Sequence, residues 1–179
     1  MEKSDTFPMN KLNYRKADIE DIDQIRALHV KAYGQFADVL SPDNWAKMLD
    51  NMEDLKSLRE LMLKSFTYIC EIDNKIVGAI SLVPRGNPTD IFMKDWSYIR
   101  KLGVDPEYRG RGIAKKLVLE CISEAIALRE SRIALHTSEF MESAKALYEN
   151  AGFKMVRELD PIFGKRYWLY KLDLYNLTT

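Results

Sequence analysis

Between residues 109 and 116 the chain sets four cations, Arg109, Arg111, Lys115 and Lys116, around Gly110 and Gly112, with no acid among them. Ile113, Leu117, Cys121 and Ala125 recur every fourth residue and predict a helix starting at about Ile113. The first-turn N–H groups of such a helix have no carbonyl partners. Glycines just ahead of it remove the Cβ atoms that would keep a ligand away from those donors. An open helix N-terminus binds anions. By itself the helix dipole would prefer acids in its first turn, yet Glu120, Glu124 and Glu130 sit toward the far end. That order is unfavourable for an isolated helix and favourable for one that holds phosphate. A solvated basic face is the plainer alternative.

The form of the phosphate ligand is narrowed by what the stretch lacks. There is no G-x-x-x-x-G-K-[ST], and Lys115 stands where a dinucleotide fingerprint needs its third glycine. R-x-x-G-x-A does fit, as Arg109-Gly110-Arg111-Gly112-Ile113-Ala114, directly after a strand ending Leu102-Gly103-Val104 and a turn at Asp105-Pro106. This pattern resembles the acyl-CoA signature of the GNAT superfamily of N-acetyltransferases. The resemblance implies an α/β fold: a mixed, mostly antiparallel sheet with one splayed parallel strand pair and helices on both faces. It covers essentially residues 12 to 175 of one acetyltransferase domain spanning 1–179, with 1–10 as a loose arm.

The elements that must position this loop follow from spacing. Leu12 to Arg15 reads as a short strand, and Asp18 as an N-cap with Asp21 in the first turn of a helix running to about Tyr33. His29 shares the face of Ile22, Ile25 and Ala32, which favours a hydrogen-bonded histidine at the core edge over a catalytic one. Ser41-Pro42 opens a helical region whose stripe of Trp45, Met48, Met52, Leu55, Leu58, Leu61 and Met62 forms one bent helix or two. Thr67 to Glu71 and Lys75 to Val83 form a hairpin about Asp73-Asn74. Residues 84–95 are a loop whose Arg85, Asp90 and Phe92, with nearby Trp96, suit a flap over an acceptor. Arg132 to Thr137 is a strand, a helix follows from about Met141 to a stop at Gly152, and Phe153 to Arg157 with Tyr167 to Leu172 closes the chain as a hairpin. Its loop holds Pro161 and Gly164.

The strand Tyr98 to Val104 has an irregular phase. Leu102 and Val104 alternate, but Ile99 lies three residues before Leu102, so all three face one core only if a residue is inserted. A β-bulge is therefore expected near Lys101 to Gly103, opening a wedge between this strand and its parallel neighbour. The resemblance implies that a pantetheine arm lies in the wedge, bonded to the main chain of Leu102, Gly103 and Val104. The pyrophosphate of acetyl-CoA (CoA) would then rest on Arg109, Gly110, Arg111, Gly112, Ile113 and Ala114.

Acyl transfer to an amine needs an anchored thioester, a deprotonated amine and a donor for the leaving thiolate. Ala144-x-x-Leu147-Tyr148-x-x-x-Gly152-Phe153 is similar to the second GNAT motif, whose tyrosine hydroxyl meets the sulfur, and this assigns the acid to Tyr148. Two positions depart from the family pattern. Tyr98 stands where many members carry a glutamate base, and Met141 where an asparagine often touches the cofactor. His136, near the end of the second wedge strand, is the first choice for the base because imidazole titrates in the right range. Glu139, Asp95 and bulk water are the others. In this family the segment after the first helix often walls the acceptor pocket, which makes Trp45 and Met48 substrate candidates; Tyr98, on the wedge strand, is another.

Composition bounds the rest. The 179 residues are 46% hydrophobic, enough for one domain with its own core. Twenty-seven basic residues balance 27 acidic ones, so no global field recruits nucleic acid. Met1-Glu2-Lys3-Ser4-Asp5 does not read as a signal peptide and no run is long enough for a membrane span, so a cytoplasmic protein is expected. Cys70 and Cys121 match no metal spacing and read as reduced packing residues. Partners are a small-molecule or peptide amine and, since homodimers are common in the family, a second copy. A non-catalytic acyl-CoA-binding module and a nucleotide-binding enzyme are the other readings.

Overall fold

The computed structural model describes residues 11–175; the expected N-terminal arm lies outside them. Seven strands form one sheet in the order β1-β2-β3-β4-β5-β7-β6, from β1 (Asn13–Lys16), β2 (Phe66–Ile72), β3 (Lys75–Val83), β4 (Ser97–Val104), β5 (Arg132–Ser138), β6 (Lys154–Ile162) and β7 (Lys165–Asp173). Every neighbouring pair is antiparallel except β4–β5. The expected mixed sheet with helices on both faces is present.

One face is covered by α1 (Ile22–Tyr33), α2 (Pro42–Glu53) and α3 (Leu55–Lys64). Asp18 and Asp21 close a capping box ahead of α1, and the Asp18 side chain accepts from the Glu20 N–H. The long apolar stripe breaks into two helices because Asp54 leaves helical geometry and caps α3, accepting from the Ser57 N–H at 3.1 Å. Ile25, Leu28 and Leu58 pack there on Ile69, Ile76 and Ala79 of the sheet.

The other face is covered by α4 (Ile113–Ala127) and α5 (Glu142–Asn150). Ile113, Leu117, Val118, Cys121 and Ala125 are buried against β2, β3 and β4. The contact is close because β3 presents Gly78: a Cβ there would lie 2.6 Å from Ile113 Cγ2. Both cysteines are free and buried, as expected.

Asp73 and Asn74 have φ of 49° and 63°, the left-handed pair that a tight β2–β3 hairpin requires. The closing hairpin departs from expectation. Pro161 lies inside β6, not in the loop, which shrinks to Phe163-Gly164. A register irregularity between Leu159 and Ile162 on this edge strand accommodates a residue that cannot donate to the ladder.

Candidate active site

The irregular phase of β4 is a bulge. Gly103 pairs with Ala79 and Arg100 with Ser81, so two residues of β4 oppose Ile80 alone, and Lys101 takes φ +53°. Ile99, Leu102 and Val104 accordingly all pack toward α4, while Tyr98 joins the core on the opposite face. The parallel pairing of β4 with β5 stops after Ser97–Ile133 and Tyr98–Ala134, although β5 continues to Ser138 paired with β7. The two strands part, and a cleft of about 1200 Å³ occupies the gap.

At one end of the cleft stands the glycine turn. Gly110 and Gly112 have φ of 75° and 76°, and a Cβ on either would project into open space. Gly112 caps α4 with no side-chain bond of its own, and the Lys116 N–H makes its bond to the Gly112 carbonyl. The N–H groups of residues 113–115 precede that bond and point out of the helix end. Leu102, Gly103, Val104, Arg109, Gly110, Gly112, Ile113 and Ala114 all line the cleft, so the residues implied for cofactor binding share one surface. The glycine turn and the wedge between the strands form one continuous surface. Arg111 is not among the lining residues: its guanidinium stacks over the Tyr108 ring at 4.9 Å. Arg109 instead ties the turn to α1, donating to the Ala32 carbonyl and the Gln35 side chain, each at 3.1 Å. The Tyr33 hydroxyl donates to the Leu102 carbonyl at 3.1 Å, which leaves that oxygen already engaged.

Tyr148 and His136 both line the middle of the cleft. Tyr148 projects from α5 against Phe153 and is buried, which pushes its phenol pKa up; it stays protonated at any physiological pH. His136 lies between the Phe92 and Tyr167 rings. Its Nδ1 is buried without a hydrogen-bond partner, and burial with the nearby Arg100 charge lowers its pKa to about 4. The expectation that it titrates near neutrality is therefore corrected: this imidazole is neutral and a weak base. Glu139 is exposed and accepts from the Arg166 N–H, and Asp95 lies by Arg85 and Glu130; neither lines the cleft.

Other expectations fare unevenly. Tyr98 lines the cleft, but it is buried, stacked on Phe92 at 4.3 Å, and its hydroxyl donates to the Asn87 carbonyl. Met48 lines the cleft, whereas Trp45, three residues earlier on α2, packs outside it beside Phe36, Leu40 and Met48. Thr89 brings the 84–95 loop to the cleft, while Phe92 and Trp96 are core and Arg85 turns toward Arg129 and Glu130. His29 is buried as expected, with the Lys101 backbone beside its ring, and burial lowers its pKa to about 3. Sequence reasoning missed Arg100 and Lys101, both on the cleft wall. The phase slip at Ile99 was the signal that could have found them, because an inserted residue turns two successive side chains to one side.

The sequence model of the Acetyltransferase (GNAT) family matches residues 23–153. Human N-acetyltransferase 8B is 31% identical over 120 residues, 64% of this chain and 52% of that protein. N-acetylaspartate synthetase of Xenopus tropicalis is 32% identical over 106 residues, 58% of this chain and 37% of that protein. The chain thus matches about half or less of these relatives' own length. In three dimensions it resembles the PaiA N-acetyltransferase of Thermoplasma acidophilum, solved in complex with coenzyme A, with a TM-score of 0.74 over 91% of this chain and 99% of that one. Identity there is 16%, a likeness of fold.

Proposed function

The chain belongs to the Acetyltransferase (GNAT) family, and on that premise we propose that it transfers an acetyl group from acetyl-CoA to a primary amine by direct attack in a ternary complex. The observation that carries the reading is the parting of β4 from β5 beside the glycine turn, with Tyr148 in the same cleft. The N–H groups around residues 110–114 hold the pyrophosphate, and the β4 main chain at Gly103 and Val104 orients the pantetheine arm. The Leu102 carbonyl already accepts from Tyr33.

Acetyl-CoA, when bound, supplies an acetyl thioester as cosubstrate. The amine nitrogen forms a bond to the acetyl carbon and the carbon–sulfur bond breaks. The amine gives up its proton to His136 or to water, the two acceptors left in the cleft from those expected. The Tyr148 hydroxyl donates a hydrogen bond to the departing thiolate, which takes its proton from solvent. A buried phenol that never ionises suits a donor and excludes a base.

Calorimetry with CoA and a labelled-acetyl transfer assay over a panel of amines test the reading together. Binding with turnover supports it; binding without turnover on any amine supports a non-catalytic acyl-CoA module; no CoA binding ends both.

A further inference from the structure

The acceptor half of the cleft carries an uncompensated positive charge. A regular strand would send Arg100 and Lys101 to opposite faces. The bulge, with Lys101 at φ +53°, turns both to the helix α2 side, where Lys101 Nζ donates to the Asn51 carbonyl at 3.3 Å. Asp54 also lends Lys101 a favourable field. Arg100 has no such help: among the described residues, neither a hydrogen bond nor an ion pair engages its half-buried guanidinium. Its charge reaches four neighbours: it joins burial in lowering the Lys101 and His136 pKa values and opposes the rise that burial gives the Tyr33 and Tyr98 phenols, which places it centrally on the cleft wall. Glu60 and Lys64, one turn apart on α3, cancel in net charge at the rim. The remaining acid on the cleft surface, Glu142, is on α5.

A polycationic acceptor entering this half meets like charge and no free carboxylate on the wall beside Arg100. A guanidinium with its donors open is built for a planar anion, which it binds through two parallel hydrogen bonds. We propose that Arg100 anchors a carboxylate of the acceptor, so that the acceptor is an amino acid or short peptide. This deepens the acetyl-transfer reading and rests on it.

The test titrates the CoA-saturated protein by calorimetry with the twenty proteinogenic L-amino acids and their dipeptides with glycine, each beside its carboxamide. Spermidine and kanamycin complete the set, and every compound also enters a thiol-release assay with acetyl-CoA. At least one free acid is expected to bind about 10- to 100-fold more tightly than its carboxamide, the range of a charge-assisted pair. Arg100→Ala should erase that ratio, Arg100→Lys should restore part of it, and acetyl-CoA affinity should hold within about twofold in both, which also reports that they fold. A ratio that survives Arg100→Ala overturns the anchor. So does spermidine or kanamycin binding more tightly than every acid, or no acid showing a preference. A ratio intact without turnover upholds the anchor and overturns the transfer reading.

Discussion

At the scale of single residues, two buried histidines and one tyrosine make the sharpest predictions. His29 is folded away with a pKa of about 3 and His136 with about 4, against about 6.5 in an unfolded chain. Each folded value is depressed, so the unfolded state binds more protons below pH 6.5. The stabilisation is complete above that pH and is lost as pH falls toward the folded values. For His29 the loss approaches about 1.4 kcal/mol per pH unit. Denaturant midpoints taken between pH 7 and 5 should fall steeply in the native chain and less steeply in His29→Phe. An equal slope in both would show that His29 is not the buried neutral group described above. Tyr148→Phe should lower kcat by about 100-fold or more while leaving CoA affinity unchanged, read by transfer assay and calorimetry. The kcat/KM profile should show no inflection near pH 6.5, because the imidazole in the cleft is already neutral there.

At the scale of elements, two close contacts set the cleft. Helix α4 reaches its position because Gly78 leaves room for Ile113, and α1 sits against β4 because Gly103 leaves room for Ala32, whose Cβ would lie 3.2 Å from an added one. Gly78→Ala should cost about 1–3 kcal/mol and weaken CoA binding by displacing the α4 N-terminus. Adding Ile113→Ala should recover part of both losses, a non-additivity that a denaturation cycle measures. Gly112→Val should weaken CoA binding by about 10-fold or more, since it strains a left-handed residue and fills the cradle. Gly86→Val makes the control: its φ is +95° and its surroundings are equally open, but it lies outside the cleft. It should lose stability alone.

At the scale of the whole molecule, the sheet is one continuous seven-stranded layer whose central pair separates. The cleft therefore joins both halves, and a ligand filling it should stabilise the molecule as a unit. Acetyl-CoA at about 100 times its Kd should add about 2.7 kcal/mol, seen as a rise in Tm. A larger rise with ATP or NAD would favour a nucleotide enzyme. No helix among the described residues is long and apolar enough to cross a membrane, and no group of three metal-ligating side chains occurs among them.

Local rules made the elements legible from the chain alone. The fourfold spacing from Ile113 to Ala125, the capping box at Asp18, the Asp73-Asn74 turn and the glycines at 110 and 112 each act within a few residues. Even the bulge could be read, because period two admits no other way for Ile99 and Leu102 to share a face. What surrounds a side chain comes from segments far away in sequence. Burial beside Phe92, Tyr167 and Arg100 drove the His136 pKa down; packing beside Phe36 and Met48 kept Trp45 out of the cleft; α1 took hold of Arg109; and a bulge on β4 left Arg100 without a partner. Charge and solvation depend on every neighbour at once, so only the assembled tertiary structure decides them.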